Sequence, residues 1–210
     1  VADNPWLAIP AADYEGHMGA TGVDQLAPLR AIFADVYARV RPSRMALLGC
    51  GAGNGADVVD ARITTTFIGV DLNPEYVALA RARHPQLARV ADWRCARVED
   101  CELAAASLGL VHAALLFEYV DPALVLPRIA GWLAPGGVLS VVLQLPGGDA
   151  TISDTGFASL HALSALFRLV SPDELRAHAA GSGLVEQSAT AIAVARGKSL
   201  WAATFARPAR

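Results

Sequence analysis

Three glycines and one carboxylate carry the chemistry most readily seen in this chain. Gly49, Gly51 and Gly53 follow the apolar run Met45–Leu48, and Asp71 closes the next run, Phe67-Ile68-Gly69-Val70. Glycines let a backbone approach a ligand closely and leave the N–H groups of a turn free to donate. A carboxylate on the neighbouring strand can accept hydrogen bonds from a ribose diol. The pairing predicts a nucleoside-containing cofactor seated on a doubly wound sheet. The competing readings are a tight strand–helix turn with no ligand, and Asp71 as a cap for the following helix.

A second group of candidates lies elsewhere. Phe117, Glu118 and Tyr119 end the apolar run from Leu108, beside the point where ligands bind in such sheets. Phe117 fits the core equally well, whereas a carboxylate directly after an apolar strand does not serve packing. Tyr14 and His17, near the start, are candidates for an acceptor pocket. His17 could act as a general base because an unperturbed imidazole titrates near neutrality. It reads equally well as a surface histidine, as does His161. His84, His112 and His178 read as structural or solvated.

These residues need elements to hold them. Residues 1–22, rich in Gly, Pro, Asp and aromatics, read as an arm over the domain, and residues 23–210 as one domain. Leu26, Leu29, Phe33, Val36, Tyr37 and Val40 fall on one helical face, so a helix is expected over Val23–Val40. Strands are expected at Arg44–Leu48, Thr65–Val70, Trp93–Val98, Leu108–Phe117 and Val138–Leu145. Helices are expected from Gly53 to Ala61, from Asn73-Pro74 to about His84, and from Asp121-Pro122 through Trp132, with Pro135-Gly136-Gly137 as a turn. This alternation implies parallel strands. The end differs. Thr155–Arg168 and Pro172–Ala180 read as helical, then Leu184–Ala195 and Leu200–Ala206 as strands. The short link between those strands forces them antiparallel.

Composition sets bounds. Hydrophobic residues make up 54% and charged residues 18% of the 210, as for a sheet buried on both faces. The formal charge is −3, and Lys198 is the only lysine. No basic stripe is visible, so a nucleic-acid partner is not favoured. Cys50, Cys95 and Cys101 are odd in number and lack a Cys-x-x-Cys, so a reducing, cytoplasmic compartment is expected. The first residues do not read as a signal peptide, and no apolar run reaches membrane-spanning length. Metal-ligand spacings are absent from the sequence, so no metal is expected.

Gly51-Ala52-Gly53-Asn54-Gly55-Ala56 also satisfies the relaxed dinucleotide pattern G-x-G-x-x-A. Against a nicotinamide cofactor stand the antiparallel end of the sheet, the lack of a second domain, and the lack of Tyr-x-x-x-Lys. Five segments in order instead resemble the Rossmann-like S-adenosylmethionine-dependent methyltransferases. These are Leu48–Gly53, Asp71, Val98–Leu103, Leu115–Val120 and Trp132–Gly137, and the resemblance extends over essentially the whole chain. It implies a three-layer α/β/α domain with a mostly parallel seven-stranded sheet and a reversed C-terminal hairpin. It also implies S-adenosylmethionine as cofactor and methyl transfer to a small-molecule acceptor.

On that resemblance Gly49, Cys50, Gly51 and Gly53 lie under the cofactor's amino-acid and ribose portion. Asp71 takes the ribose hydroxyls, Leu72 lies against adenine, and Glu99 or Asp100 takes the adenine amino group. The Cys101 N–H is a further candidate for the adenine ring. Phe117 borders the cofactor, and Glu118, Tyr14 and His17 contact the acceptor. Where the family often has an acid two residues before the first motif glycine, this chain has Leu47. Adenine-N methyltransferases would carry Asn/Asp-Pro-Pro-aromatic at residues 117–120, and its absence argues against nucleic-acid bases. A binding protein without catalysis and a nicotinamide oxidoreductase are the alternatives.

Overall fold

A computed structural model describes residues 4–147, 153–194 and 197–209. Seven strands form one sheet in the order β3-β2-β1-β4-β5-β7-β6. They are β1 (Arg44–Leu48), β2 (Thr66–Asp71), β3 (Ala91–Cys95), β4 (Leu108–Ala114), β5 (Leu133–Gln144), β6 (Val185–Ala193) and β7 (Ser199–Ala206). β1 to β5 pair in parallel. β7 runs antiparallel to both β5 and β6, which is the reversed hairpin expected. Residues 195 and 196, on the expected strand end and link, lie outside the described residues.

Strand alternation builds a core on each face. From β1, Met45 and Leu47 join Phe33, Val36, Tyr37 and Val77 on one side. Ala46 and Leu48 join Val125, Ile129 and Leu175 on the other. The first side is covered by α2 (Leu26–Val40) and α3 (Pro74–Arg83), the second by α4 (Pro122–Trp132) and α5 (Pro172–Gly181). Helix starts follow local chemistry. Asn73 accepts from the Glu75 N–H at 2.9 Å, Asp121 from Ala123 at 2.8 Å and Ser171 from Glu174 at 3.1 Å, each followed by proline at the first helical position.

Several boundaries differ from expectation, each for a local reason. No α-helix forms at Gly53–Ala61. Gly49, Gly51, Gly53 and Gly55 all hold positive φ, and only one 3₁₀ turn, Ala56–Val58, follows them. α2 begins at Leu26, because Gly22 donates to Asp24 Oδ2 at 2.9 Å in a turn over the expected first residues. β3 stops at Cys95 and Val98–Asp100 is a 3₁₀ turn. β4 stops at Ala114, where Leu115 enters the left-handed region. Pro135-Gly136-Gly137 is a bulge inside β5, not a turn before it. There Gly137 lies so near β4 that a Cβ would meet the Leu108 carbonyl oxygen at 2.6 Å.

The segment expected as a helix over 155–168 is a 3₁₀ helix, Ala158–Ala165. Its Leu160 and Leu163, three apart, are buried together against Ile9, a spacing suited to three residues per turn. The first 22 residues are more ordered than an extended arm. A 3₁₀ turn, Pro5–Ala8, is capped by Asn4, and α1 spans Ala11–Gly19. α1 sits close to the 158–165 segment. A Cβ on Gly16 would lie 2.4 Å from Phe157 Cζ.

Candidate active site

Because the sheet order reverses between β1 and β4, the carboxyl tips of the central strands leave a crevice there. A cleft of about 1200 Å³, counting its open mouth, lies over these tips. Its floor is built from strand tips: Gly49 and Gly51 after β1, Asp71 and Leu72 after β2, Glu99 after β3, and Leu115, Leu116 and Glu118 after β4. Its roof comes from distant sequence: Trp6, Tyr14 and His17 from the N-terminal segment, and Leu160, Leu163 and Phe167 from the segment after β5.

Asp71 ties the first two strand tips together. Its Oδ2 accepts from the Gly51 N–H at 2.8 Å and its Oδ1 from the Asn73 N–H at 2.9 Å. Burial pushes its pKa up, and the backbone donors oppose that. Each carboxylate oxygen retains a lone pair beyond the one engaged. Asp71 is not the cap of α3, which is Asn73; it orders the backbone just before that helix and lies on the cleft wall. At the position of the resembling family's acid, Leu47 is buried in the α2-side core.

Glu118 is 1% exposed. Its Oε1 accepts from the Gln144 N–H at 2.7 Å, joining the tips of β4 and β5, while Oε2 has no partner among the described residues. Burial raises its pKa to about 7 against the pull of backbone donors. Above it stands an aromatic wall. Trp6 meets Tyr14 edge-on at 5.4 Å and Tyr119 at 5.0 Å, and Tyr14 stacks on Tyr76 at 6.0 Å. Burial, with the nearby carboxylates of Asp71, Glu15 and Glu118, holds the Tyr14 phenol protonated far above neutrality. His17 Nδ1 and Thr155 Oγ1 share a hydrogen bond at 2.7 Å, and burial, then the Lys198 ammonium, lowers the imidazole pKa.

The structure thus brings Tyr14, His17, Gly49, Gly51, Asp71, Leu72, Glu99 and Glu118 to one cleft. It places five other candidates off its wall. Gly53 faces α3 instead: a Cβ there would lie 2.6 Å from the His84 ring. Cys50 is buried in the α2-side core, and burial, then Asp71, raises its thiol pKa. Phe117 is 1% exposed in the opposite core. Asp100 points to solvent and pairs with Arg97 Nε at 3.7 Å. The Cys101 N–H is used locally, donating to the Val98 carbonyl at 3.3 Å. Sequence reasoning did not anticipate Gln25, Tyr76 or Lys198, which also line the cleft. Only the uniqueness of Lys198 offered any signal.

Comparisons with known proteins agree with this architecture. Residues 47–141 match the family model described as a methyltransferase domain. A trans-aconitate 2-methyltransferase of Methylobacterium radiotolerans is 38% identical over 122 residues, covering 54% of this chain and 43% of that protein. The chain spans less than half the length of the curated relatives it matches first. Among solved structures, an S-adenosylmethionine-dependent methyltransferase from Mesorhizobium loti superimposes with a TM-score of 0.63 at 18% identity, over 78% of this chain and 90% of that one. The [4+2]-cyclase SpnF does so with a TM-score of 0.64 at 16% identity, over 80% of this chain and 76% of that one. The chain shares the Rossmann-like α/β fold of these structures, and its residues 47–141 carry the match to a methyltransferase domain. Among the described residues no helix is long and apolar enough to cross a membrane.

Proposed function

We propose that the cleft binds S-adenosylmethionine and that the protein transfers its methyl group to a small-molecule acceptor. One observation carries this reading beyond the fold. Of the four buried side-chain polar atoms without a partner among the described residues, three belong to residues of this cleft: Gln25 Nε2, Tyr76 OH and Glu118 Oε2. Buried polar groups normally find partners, and a ligand rich in donors and acceptors would complete these.

The residues fit that cofactor. Gly49 and Gly51 allow close approach at the β1 tip, Asp71 would take the ribose hydroxyls and Glu99 the adenine amino group, with Leu72 against the ring. When bound, the cofactor supplies an activated sulfonium methyl for in-line displacement. The chain's own part is to position the acceptor and exclude water. Residues 1–22 form the arm that closes the roof, and residues 23–210 the domain beneath it. Glu118, with a carboxyl near neutrality, can take a proton from an acceptor hydroxyl. Tyr14, held protonated, can donate a hydrogen bond but not act as a base at neutral pH.

The acceptor is read as a small molecule because the cleft is lined by aromatic residues and, among the described residues, no basic stripe surrounds it. The test is release of S-adenosylhomocysteine from S-adenosylmethionine across a panel of small acids, phenols and amines. Turnover with any of them, reduced at least tenfold in Glu118→Gln, supports the reading. Cofactor binding with no turnover across the panel would favour a non-catalytic binding protein.

A further inference from the structure

Lys198 stands just before β7, and the antiparallel pairing of β5 and β7 decides where it goes. Gln144, the last residue of β5, lies opposite Leu200, and Leu145 donates to the Ser199 carbonyl at 2.9 Å. The start of β7 is thereby brought to the carboxyl tip of β5, at the edge of the cleft. The only lysine of the chain lines that cleft at 5% exposure. Among the described residues it has no acidic partner, and its side chain makes no hydrogen bond. An ammonium largely withdrawn from water with no counter-charge is costly, and burial lowers the Lys198 pKa accordingly. The other cation on the wall, Arg97, is already engaged by Glu99 at 3.0 Å and Asp100 at 3.7 Å. His17 lies near enough to feel the Lys198 charge, and its Nε2 takes no hydrogen bond among the described residues. The cleft wall they share also carries the apolar Trp6, Tyr119, Leu160, Leu163 and Phe167, together with the polar Glu118 and Gln144.

We propose that Lys198, flanked by His17, is the anchor for a carboxylate on the acceptor, so that the substrates of this site are small organic acids with an apolar body. This rests on the reading of the cleft as the site of methyl transfer and adds the acceptor's class to it. Among the described residues, one free cation beside a neutral imidazole matches a single negative charge. A phosphate dianion would leave one of its two charges without a cationic partner among the described residues of this site. Lys198 is here a binding and specificity residue. It holds one end of the acceptor and leaves proton transfer to other groups.

A single lysine makes the test direct. Protein labelled at the lysine side chain gives one ammonium-bearing resonance to follow by NMR. It is titrated, with and without saturating S-adenosylhomocysteine, with benzoate and phenylacetate and with the matching amides, benzamide and phenylacetamide. The expected result is a saturable shift with the acids and at least tenfold weaker binding of the amides, about the size of one charge-assisted hydrogen bond. In Lys198→Met that preference disappears while affinity for S-adenosylhomocysteine is kept, which shows that the variant folds. The proposal is overturned if neither acid moves the resonance, if acids and amides bind alike, or if the preference survives in Lys198→Met. Failure of S-adenosylhomocysteine to bind the unsubstituted protein would count against the methyltransferase reading instead. The acid titration without it would still decide the role of Lys198.

Discussion

The floor and the roof of the cleft are built by opposite means. The floor is a row of strand tips, each fixed by its own ladder: β1 by β2 and β4, β2 by β3. The roof is held by two small side clusters, Ile9 with Leu160 and Leu163 and Ala11 with Ala52 and Tyr76, and by Asn73 Nδ2 donating to the Trp6 carbonyl at 2.8 Å. Ladder-fixed parts suit a constant cofactor, and a roof held by small separate clusters suits a variable acceptor. Substitutions in the two halves should therefore fail differently.

The largest effect is expected beneath the floor, where the turn after β1 packs on α3. Gly53→Val would force a β-branched residue to φ +90° with its Cβ 2.6 Å from the His84 ring. A loss of about 3 kcal/mol or more is expected from strain and overpacking. Thermal unfolding would show it, and cofactor affinity would fall with it. A variant as stable as the parent would mean that α3 yields easily.

Glu118 gives the next largest effect, through pH. Its pKa is raised from 4.5 to about 7 in the folded protein. Between those values the folded state holds a proton that the unfolded state has lost, so stability falls as pH rises through this window. The contribution is about 3 kcal/mol. Urea unfolding of Glu118→Gln against the parent should show the variant gaining relative stability from pH 4.5 to pH 7 and no further gain above it. Parallel pH curves for the two proteins would contradict the buried, half-satisfied carboxyl.

The roof should respond locally. Ile9→Ala removes a buried side chain worth about 2 kcal/mol or more, but from a satellite cluster. Hydrogen exchange should speed over residues 4–19 while β1 and β4 keep their protection. Acceptor affinity should drop more than cofactor affinity. Equal loss of protection across the sheet would mean that floor and roof are one cooperative unit.

The smallest effect separates two neighbours. Glu99 lines the cleft, whereas Asp100 is 71% exposed beside Arg97. Glu99→Ala should weaken S-adenosylhomocysteine by about tenfold, and Asp100→Ala should change it by less than twofold.

The same contrast explains what could be read beforehand. Asp71 and the glycine turn were legible because a strand tip is specified by the few residues around it. Glu118 was legible because a carboxylate ending an apolar run has no packing reason to be there. The choice between Glu99 and Asp100 was not, since a one-residue ambiguity in a turn depends on where the 3₁₀ turn Val98–Asp100 begins. Gly53 was assigned to the ligand because glycine spacing cannot distinguish close approach to a cofactor from close approach to His84. α1 was hidden because Gly16, Gly19 and the neighbouring Pro10 obscure its period, and its burial depends on a segment some 140 residues away. Lys198 reaches the cleft only through the β5–β7 register, which no local pattern announces.

The measurement that bears most directly on this account is calorimetric titration of the protein and of Asp71→Ala with S-adenosylhomocysteine and with NADH. The account predicts micromolar binding of S-adenosylhomocysteine, a loss of about a hundredfold in Asp71→Ala from two charge-assisted hydrogen bonds, and no heat with NADH. Binding of NADH, or an Asp71→Ala variant that holds S-adenosylhomocysteine as tightly as the parent, would contradict it.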